Sequence, residues 1–343
     1  MKFKQYLAMK TTDIRTNLAT EQYLMNSDEI KLPCMLFYIE KPCIIVGRNQ
    51  NTMEEINDEY CRKHNIVVTR RLSGGGAMYQ DLGNLCFSFI LPANDEEFGE
   101  FKDVVKPVVD ALHAMGATGA EINGRNDITI DGKKFSGNAM YTRKGRTFSH
   151  GTLMYNVNIN AVTDALKVSK DKIESKGIKS VRSRVINIKL FLDPQYQASD
   201  TFDFRDELIT KIFGTNTIEE AEKEYSYHLT PADKEAIAKI QKERYDNWDW
   251  VYGNSPKFTV KKRKHFTAGT IDARFLVEKG IIKNLKIYGD FFGIKDVSDL
   301  EKQLIGKEYD ANVIQGTLEK DDLDQYFHGI PAKDVIDLIA LQH

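Results

Sequence analysis

Between Ile66 and Phe89 the chain reads IVVTRRLSGGGAMYQDLGNLCFSF, and its centre, Ser73 to Gly76, is a serine followed by three consecutive glycines. Such a run leaves amide N–H groups bare and lets a phosphate come close to the backbone. A nucleotide phosphate suits it. If a strand continues through Arg70 and Arg71, their side chains point to opposite faces, so one reaches a ligand and the other serves structure. Arg71 is the one expected at the ligand. Taken alone, the run reads equally well as a glycine-rich hairpin that binds nothing. Neither G-x-x-x-x-G-K-[ST] nor a helix-opening G-x-G-x-x-G occurs here, which disfavours P-loop and Rossmann chemistry.

Three more segments bring polar groups onto strands or their turns: Gly124-Arg-Asn-Asp127, then Gly132-Lys-Lys134-Phe-Ser136-Gly137-Asn138, then His150-Gly151-Thr152. A strand-borne cation near a nucleotide neutralises charge that grows on an α-phosphate and an attacking carboxylate during in-line displacement. Lys134 is the candidate, and Lys133, on the opposite side of the strand, is expected in solvent. Asp127 has two readings, a magnesium ligand beside the phosphates or a turn acceptor before a hairpin strand. His150 is a hydrogen-bonded structural residue or borders a substrate pocket. The stretch from Lys172 to Asn187, with Lys172, Lys176, Lys179, Arg182 and Arg184 around Gly177, is a lid over a reactive intermediate or a basic solvated face. From the residues alone the two readings stand level.

The elements that must position these groups alternate strands with amphipathic helices, the order of a mixed α/β (α+β) fold. Met35–Ile39 and Cys43–Val46, separated by Lys41-Pro42, read as two adjacent strands. Phe101, Val104, Val105, Val108, Leu112 and Met115 repeat at helical spacing and stop before Gly116, with Pro107 marking a later start or a kink. Asp131-Gly132 is a hairpin turn between Asp127–Ile130 and a return strand from Lys133. Phe204, Leu208, Ile209, Ile212 and Phe213 share a helix face, and Thr230-Pro231 caps the next helix. Beyond Tyr245, Trp248-Asp-Trp250 and the turn residues up to Pro256 read as a hinge or an aromatic loop. A small α/β unit follows: a hairpin at Glu278–Gly280, a helix with Leu300, Leu304 and Ile305, and a last helix with Val335, Leu338 and Ile339. The resulting division is a large domain of mixed β-sheets flanked by helices over 1–246, a hinge over 247–256 and a small α/β domain over 257–343.

Composition sets the bounds. At 343 residues, with 41% apolar and 29% charged residues, the chain is an ordinary globular protein too long for one core. Forty-eight basic against fifty acidic residues remove the electrostatic case for a dedicated nucleic-acid or membrane-surface protein. Met1 to Ile14 lacks the apolar run of a signal peptide and no later run approaches a membrane span, so a cytoplasmic address is expected. Cys34, Cys43, Cys61 and Cys86 show neither C-x-x-C spacing nor the density of a disulfide scaffold, which argues against structural zinc and disulfides.

In order along the chain, R-R-x-S-G-G-G-A at Arg70–Ala77, D-L-G-N at Asp81–Asn84, Gly124–Asp127, Lys134-x-Ser-Gly137, His150–Thr152 and Lys176–Asn187 resemble the lipoate-protein ligase family, whose catalytic domain is related to that of biotin ligases. The part beginning near Trp248 resembles the accessory domain of the longer ligases. The resemblance implies two steps: lipoate and ATP give lipoyl-AMP and pyrophosphate, then a lysine of an acceptor domain attacks the anhydride. By motif position, Lys134 is the catalytic residue, touching both carboxyl and α-phosphate. Arg71, Ser73, Gly75, Gly76, Ala77, Met78, Tyr79 and Asn84 join Lys134 around the nucleotide. Arg71, Gly76, Lys134, Ser136, Gly137, His150 and Gly151 border the acyl substrate. Asp127 is the candidate for Mg²⁺. Lipoate or octanoate as substrate, and acceptor lipoyl domains of 2-oxoacid dehydrogenases or the glycine-cleavage carrier protein as partners, come from the resemblance alone.

Three rival readings remain. A thioester-forming lipoyl or octanoyl transferase of the same fold needs a reactive thiol beside the lysine, yet every cysteine precedes Asp127. Biotin ligase is opposed by the spelling of Arg70–Ala77. An inactive lipoate-binding relative is opposed by six unbroken motifs.

Overall fold

The computed structural model describes residues 3–93, 99–124, 126–167, 184–197, 199–252 and 259–340. Its strands in chain order are β1 (Gln5–Ala8), β2 (Cys34–Tyr38), β3 (Cys43–Val46), β4 (Val67–Arg70), β5 (Met78–Gln80), β6 (Asn84–Pro92), β7 (Glu121–Asn123), β8 (Asp127–Ile130), β9 (Lys133–Arg143), β10 (Arg146–Met154), β11 (Val260–Phe266), β12 (Gly269–Glu278) and β13 (Ile281–Gly289). A seven-stranded sheet has the order β1-β2-β6-β10-β9-β8-β7, and two three-stranded sheets run β4-β3-β5 and β11-β12-β13.

Residues of β2 and β6 alternate between two cores, because neighbouring side chains of a strand leave opposite faces. Met35, Phe37, Leu85, Phe87 and Phe89 enter one core with the helices Phe101–Ala114 and Thr201–Phe213. Cys34, Leu36, Tyr38, Cys86 and Ile90 enter the other with the helices Ile14–Asn26 and Pro231–Ile240. A sheet covered on both faces explains why these strands read as continuous apolar runs.

Most local signals land where expected. The Asp131-Gly132 turn closes the β8–β9 hairpin with φ of 49° and 69°, values an Asp-Gly pair adopts at low cost. Thr230 caps its helix through the Asp233 amide, Asp233 returns the bond in a capping box, and Pro231 opens the helix. Pro107 lies inside the helix that starts at Phe101, so it is neither its start nor its end. Two expectations fail. β2 and β3 are not neighbours: β3 joins β4 in parallel and β5 antiparallel in a separate sheet, because the turn at Lys41-Pro42 carries the chain off the large sheet. Ile305 is 41% exposed, since it caps the helix Ser298–Leu304 rather than extending its apolar face.

A third core gathers residues only from 268–340, among them Phe275, Leu285, Phe291, Leu300, Phe327 and Ile339. Phe292 leaves it for the first core, where its ring lies 6.4 Å from that of Phe101. Arg274 grips Glu54 with two bonds of 2.8 and 2.6 Å, Arg48 pairs with Asp296, and the Gly289 amide donates to Asn49 O at 2.6 Å. These contacts join the carboxy-terminal unit to the segment 48–54 that follows β3.

Candidate active site

The three-strand arrangement decides what the glycine run is. β4 and β5, which flank it, both pair with β3 and not with each other, so the run is a crossing loop and not a hairpin tip. Gly75 sits at φ 89°, in the left-handed region, and a Cβ at Gly47 would meet Gly75 O at 1.9 Å, so both positions demand glycine. Among the described residues no acceptor is paired with the amides of Gly76 or Ala77. Gly75 donates weakly to Phe291 O at 3.4 Å.

The two arginines divide the work. Arg70 turns away from the cleft, and its guanidinium serves the carbonyls of Gly47, Arg48, Gln50, Trp250 and Val251 and the Thr52 hydroxyl. The Trp250 indole donates back to Arg70 O at 2.9 Å, so the helix Trp248–Val251 is fastened to β4, while residues 253–256 of the expected hinge lie outside the described residues. Arg71 faces the cleft wall and donates to Gly74 O at 2.7 Å, Gly76 O at 2.8 Å and Ile45 O at 3.2 Å. Burial pulls its guanidinium down to about 10, opposed by Tyr38 and Glu21, and it stays charged at neutral pH. Arg71 is therefore the clamp that fixes the loop.

One cleft of about 840 Å³ collects most of the expected residues: Arg71, Gly75–Tyr79, Asn84, Asp127, Lys134, Gly137, His150 and Gly151. Lys134 reaches it because of a bulge. Thr129 pairs with Lys134 and Ile128 with Ser136, so Phe135 is the extra residue and goes into the core while the lysine swings out over Gly137. Lys133 is exposed, as alternation requires. The Lys134 ammonium lies 2.7 Å from an Asp127 carboxylate oxygen, and both groups remain partly open to solvent. Gly137 is needed for this pose, since a Cβ there would stand 2.8 Å from Lys134 Nζ.

Two expected residues do not line the cleft. Ser73 is buried, its hydroxyl 2.7 Å from His150 Nε2 and 3.0 Å from the Arg71 Nε that donates to it. Ser136 is buried beside Asn138. Of the expected lid, residues 172–183 lie outside the described residues, while Arg184 and Val185 border the cleft and Ile186 N donates to Lys134 O at 3.0 Å.

Sequence reading missed the apolar end of the cleft, formed by Leu18, Tyr38, Ile45 and Cys86. No local motif marks them, because they come from one helix and three strands and look like ordinary core residues. It also missed Glu21, whose carboxylate lies 2.9 Å from His150 Nδ1, and Asp290 and Phe292, which the carboxy-terminal unit contributes to the wall.

All four cysteines are free and buried. The Cys86 thiol is pushed far above its ordinary value by burial and by the neighbouring carboxyl of Glu40. Glu40, fully buried, is itself raised well above 4.5 by desolvation, against the opposing bond from Cys86 at 3.8 Å. A carboxyl that stays protonated in the folded state and ionises in the unfolded chain lowers stability as pH climbs past about 4.5. Glu40→Gln removes that penalty. The melting temperature of the variant minus that of the parent is expected to grow from pH 5 to pH 8, and a difference independent of pH would contradict the protonated state.

The chain is similar to known proteins over nearly its whole length. Residues 13–213 match the Lipoyl protein ligase A/B catalytic domain, and residues 255–339 match the Bacterial lipoate protein ligase C-terminus. The chain is 51% identical over 327 residues to the lipoate-protein ligase LplJ of Bacillus subtilis, covering 95% of this chain and 97% of that one. It is 44% identical over 329 residues to lipoate–protein ligase 1 of Staphylococcus aureus, covering 96% and 97%. In fold it resembles P. falciparum LipL1 in complex with lipoate, with a TM-score of 0.73 over 97% of each chain at 24% identity. It also resembles the bipartite lipoate protein ligase of Thermoplasma acidophilum, with a TM-score of 0.61 over 76% of this chain and 100% of that one at 26% identity. Lys134 and the glycine loop line one cleft, and the chain matches these relatives over nearly its whole length: it belongs to the lipoate-protein ligase family.

Proposed function

We propose that the chain activates lipoate with ATP as lipoyl-AMP and then passes the lipoyl group to a lysine of an acceptor lipoyl domain. The observation that carries this is the shared cleft: Lys134, the Gly76 and Ala77 amides and the apolar end formed by Leu18, Tyr38, Ile45 and Cys86 all open into it. The acyl chain occupies the apolar end, and its carboxylate points at Lys134. A carboxylate oxygen attacks the α-phosphorus, the bond to the β-phosphate breaks, and pyrophosphate leaves with the electron pair. Lys134 exchanges its Asp127 partner for the negative charge that gathers on the carboxylate and α-phosphate. In the second step the acceptor amine attacks the acyl carbonyl, AMP leaves, and the amine's proton is lost to water.

Asp127 fits magnesium that arrives with the nucleotide. Among the described residues no cluster of three His, Cys, Asp or Glu side chains offers a full cage, and magnesium takes one or two carboxylates while phosphates and water fill the rest. When bound, the ion spreads charge over the departing phosphates. The acceptors proposed are lipoyl domains of 2-oxoacid dehydrogenases and the glycine-cleavage carrier protein, with lipoate or octanoate as the acid. Also proposed are a division at 1–246, 247–256 and 257–343, a rotation about 247–256 between the two steps, and a cytoplasmic address; among the described residues no helix is long and apolar enough to cross a membrane.

Transfer through a cysteine thioester is opposed by the state of Cys86, a buried thiol held protonated rather than a thiolate. Lipoate-dependent exchange of labelled pyrophosphate into ATP tests the proposal: a ligase shows it, and its absence in the presence of magnesium would remove adenylation.

A further inference from the structure

Four buried side chains form one unbroken line behind the glycine loop. Glu21, on the helix Ile14–Asn26, places its carboxylate oxygens 2.9 and 3.1 Å from His150 Nδ1. His150 Nε2 is 2.7 Å from Ser73 Oγ, and Ser73 Oγ accepts from Arg71 Nε at 3.0 Å. Arg71 ends the line on Gly74 O and Gly76 O.

Two links have a fixed direction. A guanidinium only donates, so the Ser73 oxygen accepts from Arg71, and a carboxylate only accepts, so His150 Nδ1 turns an N–H towards Glu21. The link between Ser73 Oγ and His150 Nε2 runs in whichever direction the protons on the ring set. The order serine, histidine, carboxylate is that of a hydrolytic triad, but the nucleophilic role is closed: Ser73 lies behind the cleft lining, with a cation already on its oxygen. What the line does instead is set the plane of the Arg71 fork. It also joins the buried Arg71 guanidinium to the buried Glu21 side chain through two intervening groups.

We infer that Glu21, which does not itself line the cleft, is a positioning residue for the nucleotide step, acting through His150 and Ser73 on the Arg71 clamp and so on the orientation of the Gly76 and Ala77 amides. This rests on the adenylation reading above. Of the residues that line the cleft, Gly75, Gly76 and Ala77 belong to the loop that Arg71 holds, whereas Leu18, Tyr38, Ile45 and Cys86 stand on a helix and three strands outside it.

The test combines a mutant cycle with a spectroscopic signature in the full chain. Glu21→Met and Ser73→Ala are each expected to raise the ATP KM of pyrophosphate exchange about tenfold with a much smaller change in the lipoate KM, and the double variant to be no worse than the more severe single one, because both cut the same line. Calorimetric affinity for AMP should fall in the same order without any turnover. Effects that multiply to about a hundredfold, or an unchanged ATP KM in both single variants, would overturn the inference. Imidazole ¹⁵N NMR of the unsubstituted protein, with His150 assigned by difference against His150→Gln, reports the tautomer whether or not the other variants fold. A proton on Nδ1 is expected, and one on Nε2 alone would overturn the inference. Failure of the unsubstituted enzyme to exchange pyrophosphate would count against adenylation, and the AMP affinities and the tautomer would still decide the role of Glu21.

Discussion

Lys134→Ala is expected to slow lipoyl-AMP formation at least ~10²-fold while leaving the protein folded, the scale of losing one positioned donor at a developing charge. The fold should survive because the ammonium stands at the cleft, partly in solvent, and its described partner is the equally open Asp127 carboxylate. A surface pair of that kind contributes about 0 to 1 kcal/mol to stability. Kinetics and stability therefore separate. Single-turnover measurement of adenylate by rapid quench reads the first, and thermal denaturation reads the second. Lys134→Arg is not a rescue: the guanidinium fork is larger than the ammonium it replaces, and Lys134 already packs over Gly137 with no space for a Cβ. Adenylate formation within a few-fold of the parent would mean the lysine is a bystander.

Arg71→Met should damage both activity and fold. The methionine fills much of the arginine's space but removes the donors to Ser73 Oγ, Gly74 O, Gly76 O and Ile45 O in a buried site. Each acceptor left without a partner costs about 1 to 3 kcal/mol. Relaxation of the loop offsets part of that, so a net loss of about 3 kcal/mol is expected, seen as a melting temperature lower by about 6 to 12 °C. The glycine loop then loses its fixed shape, and kcat/KM for ATP should fall by ~10²-fold, with the lipoate affinity less affected. A variant with normal stability and a normal ATP KM would show that the loop holds itself.

The contrast between those variants reflects what the sequence makes legible. Where a residue's job is settled by its neighbours in the chain, the reading is secure: Asp131-Gly132 has to turn, Thr230-Pro231 has to cap, and the run from Phe101 to Met115 has to bury one face. Lys134 against Lys133 belongs to the same class, because strand alternation separates them, although the bulge at Phe135 that frees Lys134 leaves no mark in the sequence. Jobs that depend on distant segments were hidden. Ser73 sits in the most conspicuous motif of the chain, yet its hydroxyl serves His150 on β10 and not a ligand. Glu21 stands on an early helix among apolar residues, and only the packing of that helix against β10 brings it to His150. The split of β2 and β3 into different sheets has the same origin, since pairing partners are chosen by the whole fold and not by adjacency.

All the chemistry assigned here needs the α-phosphate to lie between the Lys134 ammonium and the bare amides at Gly76 and Ala77. A crystal structure of the chain with a non-hydrolysable lipoyl-adenylate analogue measures this directly. The expected result is a phosphate-mimicking oxygen about 3 Å from Lys134 Nζ and another about 3 Å from one of those amides, with the acyl chain running towards Tyr38 and Cys86. An analogue bound with its phosphate mimic beyond reach of Lys134, or with its acyl chain outside the apolar end, would contradict it.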